Sequence, residues 1–339
     1  MKELKLEINQ EGYIKKFIEK CPRNKMDLFE YSFLDDEGLA KRLYEKAKGL
    51  LQKKDAYCIV ATEDEKPVGI ICVEKDIFDS TILELNCYKI TEMTFISNDF
   101  ADIKKVIQAF FSKLTILIKP ELSLPVHFSI SLSNNIENAV AVFNALVANG
   151  FYYINTLLSF GFKSSNYSEL LNKFPVNKGI KVREAHAGDV EEIKVIAKNS
   201  FEYSRFHLDP YIDNKKADSL MMISAENSVI NKFADIFFVA EHNNRIVGYY
   251  SAKRKQIKPF NFFLGEVIIS AVDSTCRGLG VFSLMNVEIV KWFASMTDFS
   301  ELGTYLSNVP IQKTWIRSNL KIVRGSHQLS KLLMHDGQK

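Results

Sequence analysis

The sequence lacks paired cysteines. Its five cysteines, Cys21, Cys58, Cys72, Cys87 and Cys276, are odd in number, and no two of them have Cys-x-x-Cys spacing. This argues against a disulfide framework and a zinc site, so we expect reduced thiols and no metal. Reduced thiols are typical of the cytoplasm, and we expect a cytoplasmic protein.

Long apolar runs and an excess of one charge are missing as well. No stretch of about 18 apolar residues occurs, which argues against a membrane-spanning helix. The first 17 residues are charged throughout, without the apolar region of a signal peptide. With 44 Lys and Arg against 41 Asp and Glu, the net charge of +3 predicts neither a nucleic acid nor a membrane as partner. A local basic patch would still be enough for a small polyanion.

What the chain does have is enough apolar material for two cores. Its 339 residues are 47% hydrophobic and 12% aromatic, which favours two folded domains and argues against disorder. Helix, hairpin, strand, helix and strand patterns follow one another in the first half and recur in the second. We predict a first domain over residues 1–165, a polar linker over 166–179 and a second domain over 180–339.

The stretch from Gly265 to Ala294 carries the most information about function. An apolar β-branched run of strand length precedes a turn over Arg277–Gly280, and an amphipathic helix follows. The turn therefore lies at a helix N-terminus, which favours a phosphate or pyrophosphate, although a plain strand-to-helix connection has the same spacing. No Gly-Lys-Ser/Thr follows and Ser283 replaces a third glycine, so neither a Walker loop nor a dinucleotide fingerprint is present.

At these residues the chain resembles the GNAT acetyltransferase superfamily. Arg277 and Gly280 match its Arg/Gln-x-x-Gly-x-Gly/Ala signature, and Phe282 stands where Gly or Ala is usual. Asn308, Pro310 and Gln312 resemble a second GNAT stretch, whose Asn reaches the pantetheine arm of coenzyme A. The resemblance implies an α/β fold of two tandem GNAT-like domains, each a mixed, mostly antiparallel central sheet flanked by helices, with acetyl-CoA or another acyl-CoA as co-substrate. The cofactor-binding residues that it implies are Val272, Arg277, Gly278, Leu279, Gly280, Val281, Phe282 and Asn308.

The same resemblance implies two catalytic residues. Glu266, at the head of the strand, stands where a glutamate often accepts the proton of the amine, directly or through water; the alternative is a solvated carboxylate at a strand end. A Tyr seven residues after the motif Asn commonly protonates the departing thiolate, but this chain has Trp315 there. Because an indole N–H cannot act as an acid near neutral pH, Tyr305 is the substitute candidate.

The segment Ser204–Pro210 resembles a loop of the tandem-domain group similar to bacterial dTDP-fucosamine acetyltransferase. By that resemblance Arg205, His207 and Asp209 are substrate-binding residues. Arg205 is suited to a phosphate or carboxylate. His207 and Asp209 alternatively brace one another within the loop.

At the place of the glycine turn the first half has Asp99 and Asp102 and no glycine. These carboxylates would repel a phosphate at the helix start. We interpret the first domain as a degenerate copy that does not hold coenzyme A, the alternative being a second active site.

The sequence thus predicts an N-acyltransferase that moves an acetyl or short acyl group to a primary amine of a small molecule, the resemblance suggesting an amino sugar on a nucleotide. Two alternatives stay open: an inactive acyl-CoA-binding or protein-interaction module, and an acyltransferase for protein or peptide amines. Oligomerisation is left open.

Overall fold

The computed structural model describes residues 3–21, 36–118, 124–171, 179–258 and 260–334. The strands in this part of the chain are β1 Leu4–Ile8, β2 Ala56–Glu63, β3 Lys66–Lys75, β4 Asn86–Phe95, β5 Val126–Ser133, β6 Tyr152–Lys163, β7 Lys181–Glu184, β8 Ile236–His242, β9 Arg245–Gln256, β10 Phe263–Val272, β11 Phe299–Tyr305 and β12 Lys321–Leu333. The helices are α1 Glu11–Lys20, α2 Asp36–Leu51, α3 Ile77–Leu83, α4 Phe100–Ile118, α5 Ala139–Ala148, α6 Tyr167–Leu171, α7 Val190–Lys198, α8 Asn214–Ile230, α9 Val281–Met296 and α10 Val309–Arg317.

The chain divides into two compact units. The first comprises the described residues of Met1–Thr156 and Arg324–Lys339, and the second those of Leu157–Val323. These differ from the predicted ranges 1–165 and 180–339, because residues 157–163 hydrogen-bond to β11 and residues 326–333 to β5. Residues 172–178 of the predicted linker lie outside the described part of the chain.

The first unit is built on one mixed sheet. Its strands follow the order β1, β2, β3, β4, β5 and β12, with β4 and β5 parallel and every other neighbouring pair antiparallel. Helices α4 and α5 cover one face, where Phe110, Phe128 and Leu146 are fully buried. Helices α1 and α2 contribute Phe17 and Leu50 to a second apolar cluster.

The second unit repeats this arrangement. Its strands follow the order β7, β8, β9, β10, β11 and β6, with β10 and β11 as the parallel pair. Helix α9 presents Met285, Ile289 and Phe293 to one face of this sheet, and all three are fully buried. Each unit therefore has the mixed, mostly antiparallel sheet with flanking helices that the sequence predicts.

Local sequence explains the hairpin that leads into β10. Asn243 and Asn244, between β8 and β9, have φ angles of 51° and 58°. Two successive residues with positive φ make the hairpin turn whose twist matches that of the flanking strands, and Asn tolerates this conformation. The Asn-Asn pair is thus the local sequence signal for this turn. It directs β9 back along β8, where β9 becomes the antiparallel neighbour of β10.

Candidate active site

The site is built around the point where β10 and β11 separate. Their parallel pairing runs from Leu264 opposite Phe299 to Glu266 opposite Glu301 and ends there. Beyond this point β11 stays paired with β6 as far as Tyr305, while β10 stays paired with β9 as far as Val272. The inner edges of the two strands thus diverge, and backbone N–H and C=O groups along such an edge can pair with an extended ligand.

A bulge in β10 accompanies this separation. The register of β10 against β9 shifts between Val267 and Ser270, so β10 has an extra residue. The Ser251 hydroxyl fits into the irregularity: it donates to the Ile269 carbonyl at 3.0 Å and accepts from the Ile269 N–H at 3.2 Å. Ser251 is fully buried. Because a bulge bends its strand and changes the direction of its groups, Ser251 fixes how β10 presents its edge beside the gap.

The turn after β10 presents an open helix N-terminus. The Asp273 carboxylate accepts from the Thr275 N–H at 2.8 Å and the Thr275 hydroxyl at 2.6 Å, which holds a short 3₁₀ turn over Ser274–Cys276. These bonds with Thr275, together with weaker effects of nearby arginines, lower the pKa of Asp273. Gly278 and Gly280 follow, each with φ of 83° and with no atom within 4 Å of where a Cβ would stand.

Gly280 is the N-cap of α9, and no side-chain capping bond is seen at this helix start within the described part of the chain. The first N–H groups of a helix have no partner within the helix, so here they are available to an anion. Arg277 and Leu279 are exposed beside them. The glycines are required by the backbone conformation, since a positive φ is unfavourable for other residues.

Three predicted cofactor-binding side chains anchor the turn to the core. Val281 is buried, and Val272 and Phe282 are partly buried against the same apolar cluster. The Phe282 ring stacks on Tyr250 with a centroid distance of 5.3 Å and lies 6.1 Å from the Trp315 ring. The core therefore accommodates the phenyl group that replaces the usual Gly or Ala.

Asn308 begins the helix that follows β11. It is the N-cap of α10, with Pro310 in the first turn, but its side chain makes no capping hydrogen bond. The Gln312 side chain closes the turn by donating to the Tyr305 carbonyl at 3.1 Å and the Leu306 carbonyl at 2.7 Å. Gln312 thus holds the turn, and the Asn308 amide is not used by the helix cap.

Tyr305 and Arg205, 100 residues apart in sequence, meet at the end of β11. The Arg205 backbone N–H donates to the Tyr305 hydroxyl oxygen at 3.2 Å. Burial raises the pKa of Tyr305, while the Arg205 charge and this hydrogen bond act in the opposite direction. Because the phenol oxygen accepts from Arg205, its own proton is left for another acceptor. The guanidinium group of Arg205 lies over the Phe206 ring at 4.2 Å.

Trp315, where the resemblance leads one to expect a tyrosine acid, is a core residue. It is 2% exposed, and its indole N–H donates to the Asn286 side-chain oxygen at 3.2 Å. The Tyr250 hydroxyl donates to the same oxygen at 3.2 Å. Trp315 therefore has a structural role.

Glu266 lies at the last β10–β11 pair, with about a third of its side chain exposed. Lys255 Nζ is 3.3 Å from its Oε1. The neighbouring Glu301 is 7% exposed. Residues opposite one another on paired strands share a face, so Glu266 and Glu301 place two carboxylates at the mouth of the gap.

In the loop before α8, His207 and Asp209 do not brace one another by any hydrogen bond that the described residues show. His207 Nδ1 lies 2.6 Å from Ser204 Oγ, and its Nε2 lies 3.1 Å from Asp218 Oδ1. Asp209 is 3% exposed and accepts from the Tyr211 N–H at 3.0 Å. The geometry thus gives Asp209 a role in shaping the loop.

Asp218 and Ser251 are among the residues of this site that were not predicted. Asp218 lies on α8, eleven residues after His207, and no motif links the two. Ser251 had a signal, because it is a small polar residue between Tyr250 and Ala252 in an otherwise apolar buried strand.

The corresponding place in the first unit is built differently. Asp99 accepts from the N–H groups of Ala101 at 2.8 Å and Asp102 at 3.1 Å, so a carboxylate caps the start of α4. The parallel pairing of β4 with β5 extends over five residue pairs, from Asn86 to Ile90 on β4. In the first unit the helix start is therefore capped, and the two parallel strands stay paired over a longer stretch than β10 and β11 do.

Among the described residues, no group of three or more His, Cys, Asp or Glu side chains is arranged to hold a metal ion. No helix in this part of the chain is long and apolar enough to cross a membrane.

No known family model matches the sequence. The chain is similar to the spore coat polysaccharide biosynthesis protein SpsD of Bacillus subtilis (strain 168), with 22% identity over 187 residues, which are 55% of this chain and 59% of that protein. The similarity thus spans less than two thirds of the length of SpsD.

Solved structures share the fold over nearly the whole chain. A tandem GNAT protein from the clavulanic acid biosynthesis pathway is 12% identical, with a TM-score of 0.54 and coverage of 98% of this chain and 100% of that one. A GCN5-related N-acetyltransferase from Sphaerobacter thermophilus is also 12% identical, with a TM-score of 0.58 and coverage of 97% and 95%. The glucosamine N-acetyltransferase region of a fungal multi-domain GH3 β-N-acetylglucosaminidase is 10% identical, with a TM-score of 0.60 and coverage of 97% and 38%. The fold is that of tandem GNAT acetyltransferases.

Proposed function

We propose that the second unit transfers an acetyl or short acyl group from coenzyme A to a primary amine. One observation carries the proposal: the uncapped, glycine-led N-terminus of α9 directly follows a strand that separates from its parallel neighbour. A helix N-terminus suits a pyrophosphate, and a gap between two strand edges suits an extended amide-containing arm. These two features together match the pyrophosphate and the pantetheine arm of coenzyme A.

The residues present fit this co-substrate. The N–H groups of Gly280, Val281 and Phe282 would bind the pyrophosphate, with the exposed Arg277 guanidinium beside them. The open space around Gly278 and Gly280 leaves room for a close approach. The Asn308 amide, which the helix cap does not use, would reach the pantetheine arm.

The chemistry is a direct attack of a neutral amine on the thioester carbonyl. The N–C bond forms, the C–S bond breaks, and the amine loses one proton while the thiolate gains one. Backbone N–H groups of β10 beside the bulge would stabilise the oxygen that becomes negative. Glu266, or a water that it binds, would attract and deprotonate the ammonium form, and Tyr305 would protonate the thiolate.

The first unit is proposed to be a degenerate copy without coenzyme A. The Asp99 carboxylate already satisfies the first N–H groups of α4, and its charge would repel a phosphate. One acyl-CoA site per chain is therefore expected, in the second unit.

For the acceptor we propose a small-molecule amine, specifically an amino sugar of a sugar nucleotide. The resemblance through Ser204–Pro210 supports this, as does the similarity to a protein named for spore coat polysaccharide biosynthesis. In this role Arg205, at the Tyr305 end of the gap, would pair with the nucleotide phosphate. A cytoplasmic location and an acetyl-CoA donor belong to the same proposal.

The burial of Trp315 favours a second candidate function. If Tyr305 does not protonate the thiolate, the unit binds acyl-CoA without efficient transfer and serves as a binding or interaction module. A transferase acting on a protein or peptide amine is the third candidate.

An amine screen separates the three. Purified protein with acetyl-CoA is offered amino-sugar nucleotides, free amino sugars and lysine peptides, and release of free thiol is followed. We expect turnover with amino-sugar nucleotides. Binding of acetyl-CoA without turnover of any amine supports the binding module, and turnover confined to peptides supports the third candidate.

A further inference from the structure

Ser204, His207 and Asp218 form a hydrogen-bonded chain beside the proposed acyl-transfer site. Ser204 Oγ is 2.6 Å from His207 Nδ1, and His207 Nε2 is 3.1 Å from Asp218 Oδ1. The exposed fraction is 8% for Ser204, 11% for the His207 side chain and 29% for the Asp218 side chain. The serine end and the imidazole are thus largely removed from water.

The chain of bonds defines where the protons lie. An ionised carboxylate only accepts, so Nε2 of His207 carries the hydrogen that Asp218 receives. Nδ1 of the neutral ring is then an acceptor, and the Ser204 hydroxyl donates to it. Ser204 Oγ also accepts from the His207 backbone N–H at 3.2 Å, which caps this turn of the loop. A hydroxyl has two lone pairs, so one remains.

Ser204 and Tyr305 lie close together, one residue apart through Arg205. The residue after Ser204 is Arg205, whose N–H donates to the Tyr305 hydroxyl at 3.2 Å. The backbone nitrogen of one residue and the hydroxyl of the residue before it are within about 4 Å, so Ser204 Oγ is within about 7 Å of Tyr305 Oη. An acceptor amine that attacks a thioester whose sulfur faces Tyr305 would therefore approach the Ser204 hydroxyl.

We propose that Ser204 and His207 form a proton relay that deprotonates the acceptor amine, with Asp218 as the positioning residue. The amine proton passes to Ser204 Oγ while the Ser204 proton passes to His207 Nδ1. Asp218 stabilises the resulting imidazolium and fixes the ring tautomer. This inference rests on the proposed acyl transfer. It assigns the base role to this chain of residues and leaves Glu266, paired with Lys255, to attract the ammonium form.

The tautomer is tested without any turnover. Nitrogen-15 NMR of the full chain, with the His207 signal assigned by its loss in His207→Gln, should show the neutral ring protonated on Nε2. A neutral ring protonated on Nδ1 would place the hydrogen on the wrong nitrogen and overturn the relay.

Kinetics distinguish the relay from a loop cap. Ser204→Ala should lower kcat about 100-fold, with the KM for acetyl-CoA unchanged. Ser204→Thr, which keeps both hydroxyl and cap, is the matched variant and should retain most of kcat. His207→Ala should show the same loss and be partly rescued by added imidazole, whereas His242→Ala, on the β8–β9 hairpin, should behave as wild type.

The outcomes separate the relay from the proposed function. Normal kcat in Ser204→Ala, or loss in His207→Ala without imidazole rescue, overturns the relay while the acyl transfer stands. Acetyl-CoA binding by a wild type that acylates no amine overturns the proposed transfer and the relay with it.

Discussion

The backbone N–H of Arg205 donates to the hydroxyl of Tyr305. The bond connects the loop that resembles an acceptor site to the strand beside which the thioester is proposed to lie. It leaves the phenol proton available to the thiolate, and an N–H directed at the oxygen stabilises the phenolate that forms. Tyr305 therefore suits the acid role that we propose for it.

Replacing Tyr305 tests this role. Tyr305→Phe should lower kcat by about 100-fold or more, because it removes the transferable proton, and should leave the KM for acetyl-CoA nearly unchanged. Thiol release and initial rates measure both quantities. Tyr203→Phe is the control, because Tyr203 is an exposed tyrosine of the loop that carries Arg205. Wild-type kcat in Tyr305→Phe would assign the acid role to water or another group.

Placing a tyrosine at position 315 should not help. Trp315→Tyr loses the hydrogen bond to Asn286 and leaves a gap beside Phe160, whose ring centroid is 5.2 Å from that of Trp315. We expect a loss of about 1–3 kcal/mol in the free energy of unfolding and no rise in kcat. Urea unfolding and thiol release check these expectations. Faster turnover would show that this position does reach the thiolate.

Replacing Ser251 should lower both the free energy of unfolding and the efficiency of acyl transfer. Ser251→Ala leaves the Ile269 N–H and carbonyl without their side-chain partner, at a cost of about 1–3 kcal/mol. Because the bulge then relaxes, kcat/KM for acetyl-CoA should fall as well. Ser219→Ala, on the exposed side of α8, is the control for both measurements. Unchanged kinetics in a destabilised Ser251→Ala protein would make the bulge purely structural.

Much of this fold follows from local patterns in the sequence. The Asn243-Asn244 hairpin, the apolar run of β10 and the apolar face of α9 each have a clear period or turn residue. The pairing of β6 with β11 and of β12 with β5 does not follow from these patterns. The two strands have the same apolar character, and the choice of partner depends on tertiary contacts. Helix α3 was missed since its start depends on one cap, the Asp76 carboxylate accepting from the Asp79 N–H.

The site was predictable to a similar extent. Gly278 and Gly280 have positive φ angles, and because this conformation favours glycine, the sequence motif itself indicates them. The Arg205–Tyr305 bond and the Asp218–His207 bond join distant or unrelated positions, and no spacing rule reports them. For the same reason His207 had a plausible partner in Asp209, while the folded loop turns it toward Asp218.

An ion pair between a partly exposed arginine and a buried carboxylate gives the second unit a pH-dependent stability. Arg183 holds the 4% exposed Asp189 with two bonds of 2.7 and 2.9 Å, which lowers the pKa of Asp189. A carboxyl group whose pKa is lowered by folding stabilises the folded state at pH values above its unfolded pKa of about 3.9. This stabilisation is lost as the pH falls from there toward the lowered pKa.

Arg183→Gln should therefore cost about 3 kcal/mol at pH 7, because Asp189 stays buried without its cation. The difference from wild type should shrink as the pH falls below about 4, because the unfolded chain then binds a proton at Asp189 while the folded wild type, with its lowered pKa, still does not. Urea unfolding at pH 7 and pH 3.5 measures it. A difference that does not depend on pH would show that the ion pair is not its source.

Acyl-CoA binding at the start of α9 is the central claim, and calorimetric titration with acetyl-CoA tests it most directly. Arg277→Glu is the appropriate variant, since substitution of Gly280 would strain a backbone with φ of 83°. Lys258→Glu is the matched control: the same charge change at the opposite end of β10, about 30 Å away. We predict one site per chain in wild type and Lys258→Glu, and binding at least about 100-fold weaker in Arg277→Glu with an unchanged melting temperature. A folded wild type that binds neither acetyl-CoA nor longer acyl-CoAs, or an Arg277→Glu protein that binds as wild type does, would contradict the account.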